Sequence, residues 1–429
     1  MHFDAAVRHV HRRTRSERSR AVRQRLLTAY EHPDNLIGVL DLRLKRRYDV
    51  ILIDQGYGGV WVNTVQIFKM LRRKVRTLLI SPVKPLFEDD DRGDVLTLED
   101  LRQDWPELSY FSFVHLVRGV IATLKTDLLL ISHRSQSLFL FDLVGNQPTV
   151  IYCDGFCDPR FALGRAMAPG IRNEALLREL FFVLAASPPS FFGILSDPSK
   201  SFALLTMGRR ALCAARENWC WGEHQRQVMT AGLPHLNPPP KFVPPFIDTG
   251  IFRPSLVDRT KRVLFTTTMH NIDKKGLPEL LKVMGRVSKL EVHCVVRQPE
   301  HLPKEVRRFG RRIQVQTLPR RRMIEAYHRV WFNCRVSREE SSPVSILEAM
   351  ACELPQIVSP AVARQIPIIE DGTTGFVIDP DDTNGFCRAV RTLLEDPKLR
   401  DCMGRACRER VLAYDLHRRE DEVLRFVGN

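Results

Sequence analysis

The sequence predicts an α/β protein whose parallel sheets are covered by helices on both faces. Two observations carry this prediction. Short apolar runs typical of buried strands recur along the chain, and amphipathic stretches typical of helices separate them. Alternating elements of this length are typical of parallel sheets. The chain has 429 residues, more than one hydrophobic core usually supports, and the order of its motifs favours two domains.

The first half of the chain contains three predicted strands: Val50–Ile53, Asp127–Ser132 and Thr149–Tyr152. A glycine-rich exit loop, Gln55–Val60, follows the first strand and precedes a predicted helix, Trp61–Arg73. Glycine suits this position because a tight strand-to-helix turn needs positive φ. The third strand ends at Cys153-Asp154-Gly155.

The second half repeats the alternation. Its predicted strands are Arg262–Phe265, Leu290–Val296, Ile313–Leu318 and Phe332–Ser337. Its predicted helices are Leu277–Val287, Met323–Val330, Pro343–Glu353 and Thr383–Leu394. Pro343 suits the first turn of its helix because proline is preorganised for that position. The last of these helices begins after an Asp-Asp-Thr cap and ends before Pro397.

Two glutamates separated by seven residues are the most informative feature of the second half. Glu340 lies in the predicted loop after a strand, and Glu348 lies on the first turns of the next helix. Ligands of open α/β sheets bind in the crevice outside the carboxyl ends of the strands. Carboxylates there accept hydrogen bonds from sugar and ribose hydroxyls, and the backbone N–H groups that open the helix attract a phosphate.

The segment around these glutamates resembles the E-x7-E region of the retaining GT-B glycosyltransferases of family 4. The usual pattern of that family is a Glu, a glycine-rich loop, a Pro, LEAMACG and, later, an EDGxTG turn. The chain carries LEAMAC at Leu347–Cys352, Pro355, and EDGTTG at Glu370–Gly375. Phe242–Pro254 resembles the linker between the family's two domains. The resemblance implies a GT-B fold, with two Rossmann-like domains whose parallel sheets face each other across a cleft.

On this basis the chain divides into five parts. They are a basic N-terminal extension (1–47), a Rossmann-like acceptor domain (48–245), a linker (246–260), a Rossmann-like nucleotide-sugar domain (261–410) and a C-terminal helix (411–429). The implied reaction moves a sugar, with retention, from a nucleotide-diphosphate sugar to a hydroxyl of a glycan, glycolipid or similar acceptor. The nucleotide sugar is the donor substrate, and no cofactor or metal is implied if Lys, Arg and helix dipoles stabilise the diphosphate.

The resemblance also implies roles for single residues of the donor site. Glu348 would hold the ribose hydroxyls, and Glu340 would contact the donor sugar or stabilise the charge that develops near it. Lys275, of a Lys-Gly pair, would bind the diphosphate, or it is a solvated residue at the start of a helix. Ser341 and Ser342 would offer backbone amides to the sugar or the phosphate.

Two further candidates lie in the first half of the chain. Gly58 and Gly59 match the family's GG loop, whose backbone amides approach the donor phosphates or the acceptor. Asp154 takes the place of the family's catalytic His, as in relatives that carry Asp there. Asp154 would orient a sugar hydroxyl, or it is simply a turn residue at the end of a strand.

Other features depart from the family pattern. The usual Gly-Arg ahead of the Lys-Gly pair is absent, because Thr266–His270 reads TTTMH. His270, Lys274 and Arg297 are therefore open candidates for the second cation at the diphosphate. Serines and a proline replace the glycines after Glu340.

Charge and cysteine usage bear on location. The net charge is +15, and residues 1–47 carry twelve Lys/Arg against five Asp/Glu. With the apolar stretch Leu176–Leu205, which Pro188-Pro189 interrupts, this basic segment predicts salt-sensitive binding to an anionic membrane. The alternative for the apolar stretch is core helix and loop.

Ten cysteines without C-x-x-C spacing indicate neither a zinc site nor disulfides, and reduced thiols fit the cytoplasm. Together with the basic segment, they predict a cytoplasmic protein with peripheral association at the inner face of the membrane.

Two alternatives to this enzyme remain at the level of the sequence. One is a scaffold or nucleic-acid-binding protein on a degenerate GT-B fold, which the basic N-terminus permits. The other is a GT-B sugar-nucleotide epimerase. The intact pair of glutamates and Lys275 favour the transferase over a scaffold and make nucleic acid an unlikely partner. The match to the LEAMA block and its EDG turn favours the transferase over an epimerase.

Overall fold

The structure is a computed structural model of the 429-residue chain. It describes residues 44–45, 47–54, 58–82, 94–104, 110–131, 148–153, 212–267, 272, 275–297, 299, 302–338, 340 and 343–425. Several predictions therefore lie outside the described residues. They concern residues 1–43 of the basic extension, the apolar stretch Leu176–Leu205, and the candidates Asp154, His270, Lys274, Ser341 and Ser342.

The described residues fall into two compact units. The first contains the described residues up to Cys220, then Arg226–Lys241, and those from Glu422 onward. The second contains Trp221–Gln225 and Phe242–Asp421. The predicted linker, 246–260, belongs to the second unit.

The first sheet has seven strands: β1 (Arg47–Ile53), β2 (Thr77–Ser81), β3 (Asp94–Thr97), β4 (Lys125–Ile131), β5 (Thr149–Cys153), β6 (Glu217–Cys220) and β7 (Lys241–Phe242). Their order is β3-β2-β1-β4-β5-β6-β7, and the pairings from β3 to β6 are parallel. The helices of this half are α1 (Gly58–Leu71), α2 (Leu98–Asp104), α3 (Tyr110–Thr123) and α4 (Glu223–Gly232). All five residues of β2 are buried, as expected for a strand covered on both faces.

The second sheet has six strands: β8 (Thr260–Thr267), β9 (Glu291–Val296), β10 (Ile313–Gln316), β11 (Val330–Arg335), β12 (Gln356–Val358) and β13 (Gly375–Val377). Their order is β10-β9-β8-β11-β12-β13, and every pairing is parallel. The strand order reverses between β8 and β11. The adjacent carboxyl ends of these two strands are therefore the topological switch point of the sheet.

Helices and short 3₁₀ segments connect the strands of this sheet and close the chain. The helices are α5 (Leu277–Arg286), α6 (Met323–His328), α7 (Val344–Ala351), α8 (Pro360–Ala363), α9 (Thr383–Glu395), α10 (Pro397–Val411) and α11 (Glu420–Leu424). The 3₁₀ segments are Lys304–Arg312, Arg320–Arg322 and Leu412–Tyr414. Most of α7 is buried, so this helix is part of the core rather than a surface layer. None of the described helices combines the length and apolar character needed to cross a bilayer.

The α/β class with parallel sheets is confirmed, and three local predictions are corrected. The glycine-rich loop predicted over Gln55–Val60 is shorter, because α1 already begins at Gly58. The first turn of a helix accepts such residues because its N–H groups have no intrahelical partner. The helix predicted to Val330 ends at His328, because Val330 pairs with Thr260 in β11.

The segment 411–429 is not one continuous helix. It contains a 3₁₀ turn and the short helix α11, and its last four residues lie outside the described ones. The chain leaves the helical path at Asp415, which forms a β-bridge with Ile247. The Asp415 carboxylate accepts hydrogen bonds from the backbone N–H of Thr249, at 3.1 Å, and of His417, at 3.0 Å. These contacts fasten Asp415 to the segment before β8.

One glutamate holds a backbone conformation that favours glycine. Glu353 follows α7 with φ of +57°. Glycine is common at this position after a helix, and the family pattern LEAMACG has glycine there. The Arg259 guanidinium fixes the turn by donating to the carbonyls of Glu353, at 3.0 Å, and Cys352, at 2.7 Å.

Glu353→Gly is therefore expected to raise the free energy of unfolding by about 0.5–1 kcal/mol. The strain of a side chain in the left-handed region, about 1–2 kcal/mol, exceeds the extra chain entropy that glycine loses on folding. Denaturant unfolding measures the change. Glu353→Ala is the control, since its Cβ retains the strain. A glycine variant no more stable than the alanine variant would show that the left-handed backbone at residue 353 is not strained.

Candidate active site at the carboxyl edge of the second sheet

The segments that leave β8 and β11 meet at the switch point. Lys275 precedes α5, which follows β8, and Glu340 precedes α7, which follows β11. Since β8 and β11 are neighbours in the sheet, their exits lie side by side. This edge is where an α/β sheet binds its ligand.

Gly276 allows these two exits to approach closely. Its φ is +88°, and a Cβ added there would lie 2.5 Å from Cγ2 of Val336 and 2.7 Å from its carbonyl oxygen. Only glycine combines that backbone conformation with that close contact. The glycine of the Lys-Gly pair therefore places Lys275 beside the segment that carries Glu340.

Three donors converge on one oxygen of Glu340. The Lys275 Nζ lies 2.7 Å from Oε1, Ser337 Oγ donates to the same atom at 2.8 Å, and Arg335 Nη1 lies 3.4 Å away. The Glu340 side chain is only 5% exposed. Within the described part of the chain, no group donates a hydrogen bond to Oε2. The carboxylate is thus fixed through Oε1, and Oε2 accepts no hydrogen bond from these residues.

Electrostatics keep this carboxylate ionised. Burial alone would raise the pKa of Glu340, but the charges of Lys275 and Arg335 and the hydrogen bonds from Lys275 and Ser337 lower it below its ordinary value. A carboxyl group with a lowered pKa holds no proton at neutral pH. Glu340 therefore suits a fixed negative charge or a hydrogen-bond acceptor, and not a general acid.

The backbone of the Glu340 loop is held from α8 and its neighbours. Ser359 Oγ, at the start of α8, donates to the carbonyl of Ser337. Gln365 Nε2 donates to the carbonyl of Glu340 at 2.8 Å, and Gln365 Oε1 accepts from the backbone N–H of Gln225 at 3.2 Å. The loop that carries the carboxylate is thus anchored at two points.

Glu348 lies in the middle of α7 and is 2% exposed. Its Oε2 accepts from Tyr327 Oη at 2.7 Å and from Arg320 Nη1 at 2.8 Å. Arg320 Nη2 donates to the other oxygen, so this guanidinium binds both oxygens of the carboxylate. Arg320 follows β10, is 37% exposed, and lies over the Phe252 ring, 5.1 Å from its centre.

The structure therefore adds residues that the sequence analysis missed. Arg335 and Ser337 were inside a predicted strand, and Arg320 was inside a run of three arginines that resembles a solvated surface. Neighbouring Arg322 does behave as a surface residue and pairs with Glu325 at 2.8 Å. The sequence did contain one signal that could have identified Arg335. This arginine lies near the end of the mostly apolar run Val330–Val336, and buried strands rarely carry a lone charge.

The remaining sequence candidates divide into two groups. Gly58 and Gly59 open α1 after β1, next to β4, where the strand order of the first sheet also reverses. Arg297 is exposed immediately after β9. Asp154, Ser341, Ser342, His270 and Lys274 are outside the described residues, and their predicted roles stay predictions.

A family match covers most of the second unit. Residues 260–396 match the family of glycosyl transferases group 1. The matched segment contains Lys275, Glu340 and Glu348 and their charged partners Arg320 and Arg335.

Curated relatives match shorter stretches of the chain. It is 36% identical over 81 residues to a sulfoquinovosyl transferase of Arabidopsis thaliana, covering 18% of this chain and 16% of that protein. It is 30% identical over 100 residues to a D-inositol 3-phosphate glycosyltransferase of Kribbella flavida, covering 23% of each. These matches span about a fifth of the length of the relatives.

Solved structures resemble nearly the whole chain. HepE of Anabaena, in complex with UDP and glucose, has a TM-score of 0.65 and 13% identity, covering 90% of this chain and 100% of that one. Sucrose-phosphate synthase of Thermosynechococcus elongatus has a TM-score of 0.64 and 14% identity, covering 89% and 98%. With the two parallel sheets, these likenesses confirm the GT-B fold with two Rossmann-like domains.

Proposed function

We propose that the protein is a retaining glycosyltransferase of family 4 that transfers a sugar from a nucleotide-diphosphate sugar to a hydroxyl of a glycan, glycolipid or similar acceptor. One observation carries the proposal. A buried, ionised carboxylate and a lysine 2.7 Å from it lie at the switch point of a sheet, within the segment that matches glycosyl transferases group 1.

The donor is a nucleotide sugar bound at the carboxyl edge of the second sheet. HepE, which shares the fold, has been solved in complex with UDP-glucose. Lys275 would bind the diphosphate, and Glu348, with its partners Arg320 and Tyr327, would face the ribose. The nucleotide sugar is a substrate, so no cofactor is needed.

We infer that the transfer proceeds without a protein nucleophile. The bond between the anomeric carbon and the diphosphate oxygen breaks, and the acceptor oxygen bonds to that carbon on the same face. The acceptor proton passes to the departing phosphate oxygen. Lys275 stabilises the negative charge of the leaving group, and Glu340 stabilises the positive charge that develops on the sugar. The charged groups of Lys275 and Glu340 are already in position before the reaction begins, which lowers the activation free energy.

The acceptor and the location complete the proposal. The acceptor is a glycan or a lipid-linked sugar, in the cytoplasm or at the inner face of a membrane with anionic lipids. Asp154 would orient a sugar hydroxyl, and the amides of Ser341 and Ser342 and the Gly58-Gly59 turn would contact the donor or the acceptor.

A thermal-shift screen tests the proposed function. The protein is heated with UDP, GDP and ADP, and with sugars linked to each of them. A ligand that binds only the folded state, at 100 times its dissociation constant, stabilises it by about 2.7 kcal/mol and raises the melting temperature. One nucleotide series is expected to do so. If none of the ligands changes the melting temperature, the donor assignment is wrong and a scaffold role is favoured.

Transfer is expected to continue in excess EDTA, because Lys275 and the neighbouring cations take the place of a metal at the diphosphate. The run of three aspartates at Asp89–Asp91 is the competing candidate for a metal-binding segment, and it lies outside the described residues. Activity is measured before and after chelation, with Mn²⁺ or Mg²⁺ then added back. Complete loss in EDTA, with recovery on adding either metal, would show that the reaction depends on a divalent ion.

A further inference from the structure

Arg335 is a buried charge at the end of an otherwise mostly apolar strand. It is the last residue of β11, its side chain is 7% exposed, and its neighbours Cys334 and Val336 are buried. Removing a guanidinium from water is costly unless well-placed partners satisfy it. The partners of Arg335 therefore indicate why it is there.

Those partners leave its charge incompletely balanced. Arg335 Nη2 donates to Thr266 Oγ1 at 3.0 Å and to Ser345 Oγ at 2.9 Å, and both hydroxyls are neutral. Arg335 Nη1 is 3.4 Å from Glu340 Oε1, longer than an ordinary N–H···O bond. The same oxygen is already bound to Lys275 at 2.7 Å. Within this group of described residues, two cations thus share one carboxylate.

The guanidinium is nevertheless held firmly in position. Thr266 lies near the end of β8, and Ser345 lies in the first turn of α7, so the two hydroxyls fix Nη2 between these elements. Among the residues that the structure describes, none caps the start of α7 with its side chain. The N–H groups at the start of a helix carry partial positive charge, and Ser345, in this first turn, contacts Arg335 directly. Strand end, helix start and two cations thus converge at the switch point.

We propose that Arg335 is the second cation for the donor diphosphate and acts with Lys275. This inference rests on the proposed function and names the residue that compensates for the missing Arg ahead of Lys275-Gly276. A phosphate oxygen would accept a short bond from Nη1, which its distant contact with Glu340 leaves available. Because Nη2 is engaged by the two hydroxyls, the contact with phosphate would be a charge-assisted hydrogen bond from Nη1.

The test compares variants in their affinity for phosphate and for the nucleoside. Calorimetry on the full-length protein measures inorganic pyrophosphate, the nucleoside diphosphate that raises the melting temperature, and the corresponding nucleoside. Arg335→Met is expected to lower the affinity for pyrophosphate and for the nucleoside diphosphate at least tenfold. Its affinity for the nucleoside should stay within about twofold of the wild-type value. Arg335→Lys, which keeps the charge and preserves the fold if methionine does not, is expected to show a smaller loss with the same selectivity.

Arg338→Met is the matched control. Arg338 lies three residues away, is 47% exposed and pairs with Glu279 and Asp381, so its loss should leave all three affinities unchanged. Unchanged pyrophosphate affinity in both Arg335 variants would overturn the inference and leave the proposed function standing. An equal loss for the nucleoside would also overturn it, since it would show a structural role for Arg335. A wild-type protein that binds none of the diphosphates would overturn the proposed function itself.

Discussion

Glu340→Gln is expected to lower turnover by at least about 100-fold while nucleotide affinity stays equal or becomes tighter. Removing one preorganised electrostatic contact to a transition state typically costs 10²–10³ in kcat. The substitution also removes the negative charge that Lys275 and Arg335 share, so both cations become more available to a diphosphate. The loss should therefore appear as a lower kcat and not as weaker nucleotide binding.

Kinetics and calorimetry on the same preparation separate these quantities. Glu340→Asp keeps the charge on a shorter side chain and should retain more activity than the glutamine variant. Glu325→Gln, which removes an exposed carboxylate paired with Arg322, serves as the surface control. Full activity of Glu340→Gln would show that this carboxylate takes no part in the reaction.

Glu348→Gln is expected to weaken nucleotide binding by tenfold or more and to lower the melting temperature. Hydrogen bonds to a charged acceptor are worth about 1.5–3 kcal/mol each, and the carboxylate is the expected acceptor for the ribose. The lower melting temperature follows from the structure, because the substitution removes the carboxylate that binds Arg320 through both oxygens. Since Arg320 is partly exposed, the loss of stability should be smaller than for a fully buried pair.

Tyr327→Phe distinguishes these two effects of Glu348. It removes one hydrogen bond to the same carboxylate and leaves the pair with Arg320 in place. We expect lower stability with nearly normal nucleotide affinity, measured by calorimetry well below the melting temperature. If Glu348→Gln binds nucleotide as the wild type does, the ribose assignment is wrong.

The elements that the sequence did predict have a local signal, although β2 and α3 were missed. Long apolar runs such as that in β4 and cap signals such as that of α9 identify strands and helix ends by themselves. The two-residue strand β7 and the three-residue strands β12 and β13 carry too few residues for a periodic pattern, and none was predicted. Their place is set by pairing with distant strands.

For the site residues, too, the sequence predicted only what a local pattern carries. The spacing of Glu340 and Glu348 was readable because both belong to one strand–loop–helix unit. The partners of Glu348 were not, since Arg320 and Tyr327 come from the connection between β10 and β11. The role of Arg335 was hidden for a related reason, because its contacts with Thr266 and Ser345 exist only once β8 and β11 are adjacent.

Cleavage of the nucleotide sugar shows whether the protein is a transferase and whether Glu340 takes part in the reaction. The nucleotide sugar that raises the melting temperature is incubated with the wild-type protein and with Glu340→Gln, in EDTA, with water or a glycan extract as acceptor. Release of the nucleoside diphosphate is followed over time. We expect release by the wild type and at least about 100-fold slower release by the variant. No release by the wild type, or equal release by both proteins, would contradict this expectation.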